Sequence, residues 1–375
     1  MTKKQKYYSV RNLLVYAPDV YYYVIYGERS NGKTYSVLDY CLERYFTHGE
    51  KFAIVRRYKE DLKGKNGGAM FSALVENSVI KKYSKGEWNG IYYYSQRWYF
   101  MRINPENPKD KVIDDEPFAY GFALTEMEHD KSTSYPLIKN ILFDEFITRQ
   151  SYLPDEFILF TNVISTIVRE RDDVKIFMCG NTVNQYCPYF KEMGLTNVRK
   201  QDKGTIDIYT YGDSRLKVAV EYSDFPEKKK KSDVYFAFNN PKLKMITGGA
   251  WEIAIYPHLT KEMKYAPKHV YGHYFIKFED DLLMCDVVKK DDMIFTFIHR
   301  KTTPIKEDDK SIVYTPKTSP LPNYRRKITK PITIADKRIV WFFLHDKVFY
   351  QDNEIGEIVR NYLQWCKTAN IESQT

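Results

Sequence analysis

Along the first half of the chain, short apolar runs alternate with segments whose apolar positions recur at helical spacing. Residues 20–26, VYYYVIY, are β-branched and aromatic and predict a strand. From Lys33 to about Thr47, the residues Val37, Leu38, Cys41, Leu42 and Tyr45 share one helical face. KFAIVRR at 51–57 predicts the next strand, which makes the opening a βαβ unit. NILFDEF (140–146) predicts a buried strand through Ile141, Leu142 and Phe143, and VKIFMCGN (174–181) predicts another. Between them, PDEFILFTNVISTIVRER reads as a helix with Pro154 in its first turn. Its apolar face is Phe157, Phe160, Ile164, Ile167 and Val168. Alternating strands and helices imply an α/β domain around a mostly parallel sheet.

Elsewhere the pattern changes. GEWNGIYYYSQRWYFMRINPEN (86–107) reads as a hairpin inserted in that domain, and LKGKNGGAM (62–70) as a glycine-rich basic loop. SDFPEKKKKSDVYFAFNNPKLKMITGGA, from 223, carries a lysine run and little periodicity, as a linker or lid would. VYGHYFIKFED, DLLMCDVVKKDD and MIFTFIHR then alternate as a three-stranded meander, followed by helices at 333–345 and 352–367. The organisation expected is therefore a first domain at 1–222, a linker at 223–265 and a smaller α+β domain at 266–375.

With 375 residues, 43% hydrophobic and 29% charged, the chain can bury sizeable cores and is not of disordered composition. No apolar run has the length of a membrane span, and MTKKQKYYSV lacks the apolar centre of a signal peptide, so no membrane partner is expected. Cys41, Cys179, Cys187, Cys285 and Cys366 are scattered without metal-ligand spacing and read as buried thiols in a reducing compartment. The net charge of +9 mildly favours a polyanionic partner. Tyr21–Tyr23 and Tyr92–Tyr94 fit strand alternation better than base-stacking platforms.

The candidate chemistry sits at the ends of the predicted strands. GERSNGKT meets the spacing G-x-x-x-x-G-K-[ST] through Gly27, Gly32, Lys33 and Thr34, and Asn31 lies inside the loop. Backbone N–H groups of such a loop and the following helix converge on phosphates, and the lysine reaches their outer oxygens. An ATPase also needs Mg²⁺ opposite the loop and a polarised water. Asp144 and Glu145, closing an apolar strand, supply the two carboxylates, one for the metal through water and one for the attacking water. Asn181 ends the next strand either as a γ-phosphate sensor or as a turn residue. Arg169 and Arg171 close the long helix, where arginines complement the helix dipole or reach a neighbouring subunit. Lys63 and Lys65 are candidate DNA contacts in a channel-lining loop, with a solvated loop as the alternative.

In order and spacing, GERSNGKTYS, FAIVRRYKEDL, DKSTSYP, ILFDEF, TIVRERDDVKIFMCGN and CPYF resemble the double-stranded DNA packaging ATPases of phi 29-like phages, over about residues 20–190. The resemblance implies an additional-strand ATPase core forming a ring, a pentamer, at the portal vertex of a prohead in the host cytoplasm. It implies ATP and Mg²⁺ as ligands, double-stranded DNA as cargo and a packaging RNA as a further partner. It assigns Arg169 as an arginine finger acting in trans and Lys131 as a second basic residue working across the subunit boundary. Arg56 and Arg57 match the VRRYK pair and join the candidate DNA contacts. Glu28, Arg29, Ser30 and Asn31 stand where relatives carry small residues, and Glu28 is expected to turn away from phosphate.

The meander followed by helices resembles the ribonuclease H-like nuclease half of large terminases. Paired-metal nuclease chemistry requires converging carboxylates, one in the middle of the first strand. VYGHYFIKF has none, and Asp280, Asp281 and Asp286 are expected at or past the turn, so the domain reads as a nuclease relic. NYRRKITK (323–330) is a candidate nucleic-acid or portal contact. Two other readings compete with a packaging motor. One is a cellular ring-shaped DNA pump or helicase of the same ATPase class. The other is a DNA-binding scaffold with a decayed ATP site, which the intact Lys33, Thr34, Asp144 and Glu145 disfavour.

Overall fold

The four apolar runs of the first half become neighbouring strands of one sheet. A computed structural model describes residues 7–107, 109–126, 134–149, 152–153, 155–183, 187–224 and 256–368, which fall into two compact units. In the first unit the chain runs through α1 (Val10–Tyr16), β1 (Tyr22–Gly27), α2 (Lys33–His48) and β2 (Lys51–Arg56). Three short helices follow, α3 (Gly64–Ala69), α4 (Ser72–Glu76) and α5 (Val79–Tyr83), then β3 (Gly90–Tyr94), β4 (Arg97–Ile103), β5 (Lys111–Ile113) and β6 (Ala119–Ala123). The remaining elements are β7 (Ile138–Asp144), α6 (Glu156–Val168), β8 (Lys175–Asn181), α7 (Pro188–Glu192), β9 (Ile206–Thr210) and β10 (Lys217–Ser223).

The strand order is β3-β4-β6-β2-β7-β8-β1-β10-β9, with β5 paired to β4. From β6 to β10 every neighbouring pair is parallel, and the antiparallel strands β3, β4, β5 and β9 lie outside that block. Strand β8 lies between β1 and β7, which is the additional-strand arrangement. Central strands are buried on both faces: Tyr23, Val24, Ile25, Phe52, Ile54, Leu142, Phe143 and Phe177 have no exposed surface. Each such aliphatic or aromatic side chain contributes about 1.5–3 kcal/mol of transfer free energy.

The hairpin at 86–107 forms as β3 and β4 and extends the sheet through β6. Tyr23 stacks on Phe177 with ring centroids 5.2 Å apart, and Tyr93 packs against Trp98, so these tyrosines serve the core; Tyr94 alone of its run is exposed. The stretch at 62–70 departs from expectation, because it holds the short helix α3 rather than an open loop. Gly67 packs beneath the Tyr93 ring with no room for a Cβ, and its carbonyl accepts a 2.8 Å hydrogen bond from Trp98 Nε1. Residues 119–123 and 206–223, which the apolar pattern leaves unassigned, supply β6, β9 and β10.

The second unit is built on β11 (Val270–Phe278), β12 (Asp281–Lys290) and β13 (Met293–Arg300), the expected antiparallel meander. Short strands β14 (Val313–Tyr314), β15 (Tyr324–Arg325) and β16 (Val348–Tyr350) join it in parallel, giving the order β15-β14-β11-β12-β13-β16. A meander whose first strand takes the fourth beside it in parallel, and then the fifth, is the ribonuclease H-like sheet. The helices Ile334–Leu344 and Asn353–Thr368 follow as expected. Ile355, Ile358, Val359, Tyr362 and Cys366 lie on one fully buried face of the second helix. Thr333 and Asp336 form a capping box at the start of the first.

Asp286 stands past the turn, within β12 and opposite His273 of β11. Tyr265 donates to Asp286 Oδ2 at 2.7 Å, His299 Nε2 lies 3.4 Å from the same oxygen, and His273 Nε2 lies 2.9 Å from Asp309 Oδ2. Burial pushes the Asp286 carboxyl up, but the His299 and Tyr265 hydrogen bonds hold it below the usual range. Among the described residues no group of three or more His, Cys, Asp or Glu side chains is arranged to hold a metal ion. Within NYRRKITK, Arg325 is turned to Asp336 and Arg326 lies over the Trp365 ring, 5.6 Å from its centroid.

Candidate nucleotide site

The loop between β1 and α2 is set by what flanks it. Gly27 ends β1 opposite Asn181 of β8 and Ser223 of β10, and an added Cβ there would run into the Ser223 hydroxyl. Gly32 caps α2 with φ 93°, a left-handed conformation that a side chain disfavours. Helix α2, 16 residues long, therefore begins at the loop with its free N–H groups and positive dipole end. Asn31 is buried, donates to Ser223 Oγ at 3.0 Å and accepts from the Lys33 N–H at 3.3 Å. Ser223 Oγ in turn donates to the Tyr26 carbonyl at 3.0 Å. The Tyr8 N–H donates to the Asn31 carbonyl at 3.1 Å, so the chain before α1 lies against the loop.

Lys33 is buried among neutral acceptors. Its Nζ lies 2.7 Å from the Glu28 carbonyl, 3.2 Å from Asn31 Oδ1, 3.3 Å from Asn181 Oδ1 and 3.4 Å from the Gly27 carbonyl. Burial lowers the ammonium pKa to about 8, with Asp144 and Glu28 among the groups opposing the fall. The Glu28 carboxylate lies 3.9 Å from Lys203 Nζ, and Glu28 is not among the residues that line the cleft.

The carboxylates approach from β7. The Thr34 hydroxyl donates to Asp144 Oδ1 at 2.7 Å, closing the gap between loop and strand. Burial raises the Asp144 pKa, and Arg56 and Thr34 counter it. Arg56 bridges both acids, with Nη1 2.6 Å from Asp144 Oδ2 and Nη2 2.9 Å from Glu145 Oε2. Glu145 takes φ 60°, so the chain turns sharply as it leaves the strand and the carboxylate stays 60% exposed. Together Ser30–Tyr35, Asp144, Glu145, Cys179, Gly180 and Asn181 line a cleft of about 210 Å³.

Arg57, adjacent in sequence to Arg56, points elsewhere. Its guanidinium makes two 2.8 Å bonds to the buried Glu156 carboxylate and donates to the carbonyls of Glu145, at 3.2 Å, and Phe146, at 2.8 Å. Neither arginine fits the DNA contact expected of it: Arg56 is held on Asp144 and Glu145, and Arg57 is buried on Glu156. Lys63 and Lys65 are exposed at the start of α3, and Lys63 pairs with Glu60 at 3.1 Å.

The structure also separates the two arginines after α6. Arg171 donates to the carbonyls of Tyr135, Pro136, Ile138, Ile167 and Val168, tying the helix end to the start of β7. Arg169, at φ 53°, is exposed. Lys131 lies outside the described residues. Sequence reasoning missed Ser223, Glu156 and Tyr189. A serine ending a strand and a glutamate in a first helical turn carry no local mark of what they will touch.

A parallel sheet with a phosphate-type loop after β1, acids after β7 and a strand between them defines an additional-strand P-loop nucleotide-binding domain. The chain belongs to the podovirus DNA encapsidation protein (Gp16) family, whose model matches residues 1–87 and 106–238. It is 27% identical over 233 residues to the DNA packaging proteins of Bacillus phages phi29 and PZA, covering 61% of this chain and 60% of theirs. To the DNA packaging protein of Bacillus phage B103 it is 28% identical over 174 residues, 46% of this chain and 47% of that one. The match thus spans about half to three-fifths of the length of these relatives. The phi29 viral genome packaging motor assembly shares the fold, with a TM-score of 0.55 at 19% identity over 95% of this chain and 97% of that one. The Phi-28 gp11 DNA packaging motor gives 0.52 at 18% identity over 96% and 98%.

Proposed function

We propose that this protein is the ATP-hydrolysing subunit of a phage motor that drives double-stranded DNA into a prohead. One observation carries the reading: Lys33, Thr34, Asp144, Glu145 and Asn181, from three separate segments, converge on one cleft at the start of α2. Residues Gly27 to Gly32 and the first N–H groups of α2 cradle the phosphates of ATP, and the Lys33 ammonium exchanges neutral carbonyls for phosphate oxygens. The donor set fits Mg²⁺, since a hydroxyl and a carboxylate already meet at 2.7 Å in an oxygen-rich corner. Thr34 and Asp144 would hold that ion, which when bound would neutralise charge on the phosphates. Glu145 orients the attacking water, and Asn181 reads the terminal phosphate from the end of β8.

Arg169 and Lys131 act across a subunit boundary in a homo-oligomeric ring, a pentamer. The ring works in the host cytoplasm at the portal vertex, with a packaging RNA as a further partner. DNA is gripped through its phosphates, so binding is independent of sequence and weakens with salt. Lys63 and Lys65 remain candidates for that grip. The second unit is a nuclease relic that leaves DNA uncut. Residues 1–222, 223–265 and 266–375 form the motor domain, linker and relic.

The decisive experiment is packaging of DNA into proheads with purified protein, ATP and Mg²⁺. Lys33→Ala abolishes tight nucleotide binding, whereas Glu145→Gln binds nucleotide but does not turn it over. A wild-type chain that hydrolyses no ATP with DNA and proheads present would sink the proposal. Turnover by Glu145→Gln at the wild-type rate would sink the assignment of the base.

A further inference from the structure

Glu145 must present its carboxylate from an unfavourable backbone. At φ 60° a non-glycine residue is strained and persists only where its surroundings over-determine it. The surroundings here are specific. The Phe146 N–H donates to the Cys179 carbonyl of β8 at 3.3 Å, and Arg57 donates to the Glu145 and Phe146 carbonyls at 3.2 and 2.8 Å. The guanidinium is itself fixed by the two-pronged contact with Glu156, whose side chain has no exposed surface. The Tyr189 hydroxyl donates to Glu156 Oε1 at 2.9 Å. A planar fork can hold a carboxylate and two carbonyls at once; a lysine, a single charge on a flexible stem, cannot.

We propose that Arg57 and Glu156, steadied by Tyr189, are positioning residues for hydrolysis: they hold the Glu145–Phe146 turn and tie it to the first turn of α6. The inference rests on the proposed ATPase function. It also follows that Glu145, at the end of β7, and Arg169, at the far end of α6, belong to one braced element. Arg57–Glu156 clamps that element at the Glu145 end, and Arg171 clamps it at the other. Neither Arg57 nor Glu156 lines the nucleotide cleft, so losing the brace is expected to alter turnover and leave binding unchanged.

The test compares two variants of the full chain with wild type. Replacing one partner of a buried pair strands the other, so the first variant removes the network together: Arg57→Met, Glu156→Met and Tyr189→Phe. The second, Arg57→Lys, keeps a charge for Glu156 but loses the fork. Dissociation constants are measured with a fluorescent ATP analogue, and kcat and KM by phosphate release with DNA and proheads. Both variants are expected to bind nucleotide as wild type does, with KM unchanged. A misplaced catalytic group should lower kcat on the order of ten- to a hundredfold. A folded variant of either kind with wild-type kcat overturns the proposal, and so does loss of folding in both, which would make the network purely structural. A wild-type chain without turnover in the same assay would instead sink the proposed function.

Discussion

Arg56 Nη2 lies 2.9 Å from Glu145 Oε2 while Nη1 of the same guanidinium lies 2.6 Å from Asp144 Oδ2. A cation of the protein's own thus sits between the two acids that the proposed chemistry assigns to metal and water. The Asp144 contact is the stronger one, because that carboxylate is 11% exposed and Glu145 is 60% exposed.

Removing Arg56 strands the Asp144 charge. Arg56→Ala is expected to lower the stability of the nucleotide-free protein by about 3 kcal/mol, in the range for breaking a buried pair. Mg²⁺ and a non-hydrolysable ATP analogue restore a cation to the site, so they should raise the melting temperature more in the variant than in wild type. Calorimetry with and without ligand checks both points. An equal or smaller ligand-induced rise in the variant would show that Arg56 does not stand in for the metal.

Nucleotide binding should depend on pH through Lys33. Burial puts its pKa at about 8 in place of 10.5, so the free site loses the ammonium as pH climbs through that interval. Phosphate favours the charged form. Binding above pH 8 should therefore take up protons, and affinity should fall as pH rises toward 10.5. Isothermal titration at pH 8.5 in buffers of different ionisation enthalpy measures the uptake. Proton release on binding would contradict the assignment.

The two arginines after α6 should behave differently. Arg171→Ala frees five carbonyls at the β7–α6 junction and is expected to cost about 2–4 kcal/mol of stability. Arg169→Ala should leave ATP binding close to wild type while hydrolysis falls by about 10³-fold, as for a finger acting in trans. Mixing Arg169→Ala with Glu145→Gln chains should restore some turnover, because mixed rings rebuild interfaces with both groups intact. No rescue at any ratio, in rings whose mixing is verified by mass, counts against a shared site.

The second unit should leave plasmid DNA uncut in Mg²⁺ or Mn²⁺. The central position of its first strand is Tyr274, the adjacent His273 is held by Asp309, and Asp286 is occupied by His299 and Tyr265. Electrophoresis after long incubation is the check. Nicking that survives Lys33→Ala and vanishes on Asp286→Asn would establish an active nuclease.

What the linear pattern determined were the features written in neighbouring residues. The loop GERSNGKT lies between a run of strand length and an amphipathic helix, and Asp144 and Glu145 close an apolar run. Those signals are local, so β1, α2, β2, β7, α6 and β8 were all legible, as was the three-stranded meander. Strands β14 and β15, two residues each, hold no periodicity to read, and only the pairing of β14 with β11 and of β15 with β14 makes them strands. The GKNGGA stretch becomes a helix because Tyr93 and Trp98, from a distant hairpin, pack and hydrogen-bond over Gly67. Tertiary structure also decided the fates of Arg56 and Arg57. Neighbours at a strand end point to opposite faces, so one reaches Asp144 and Glu145 and the other Glu156. Which acid a buried arginine meets depends on how β2, β7 and α6 pack. A hydrophobic pattern carries the element and its face, but the partner of a buried charge is chosen only when distant segments close around it.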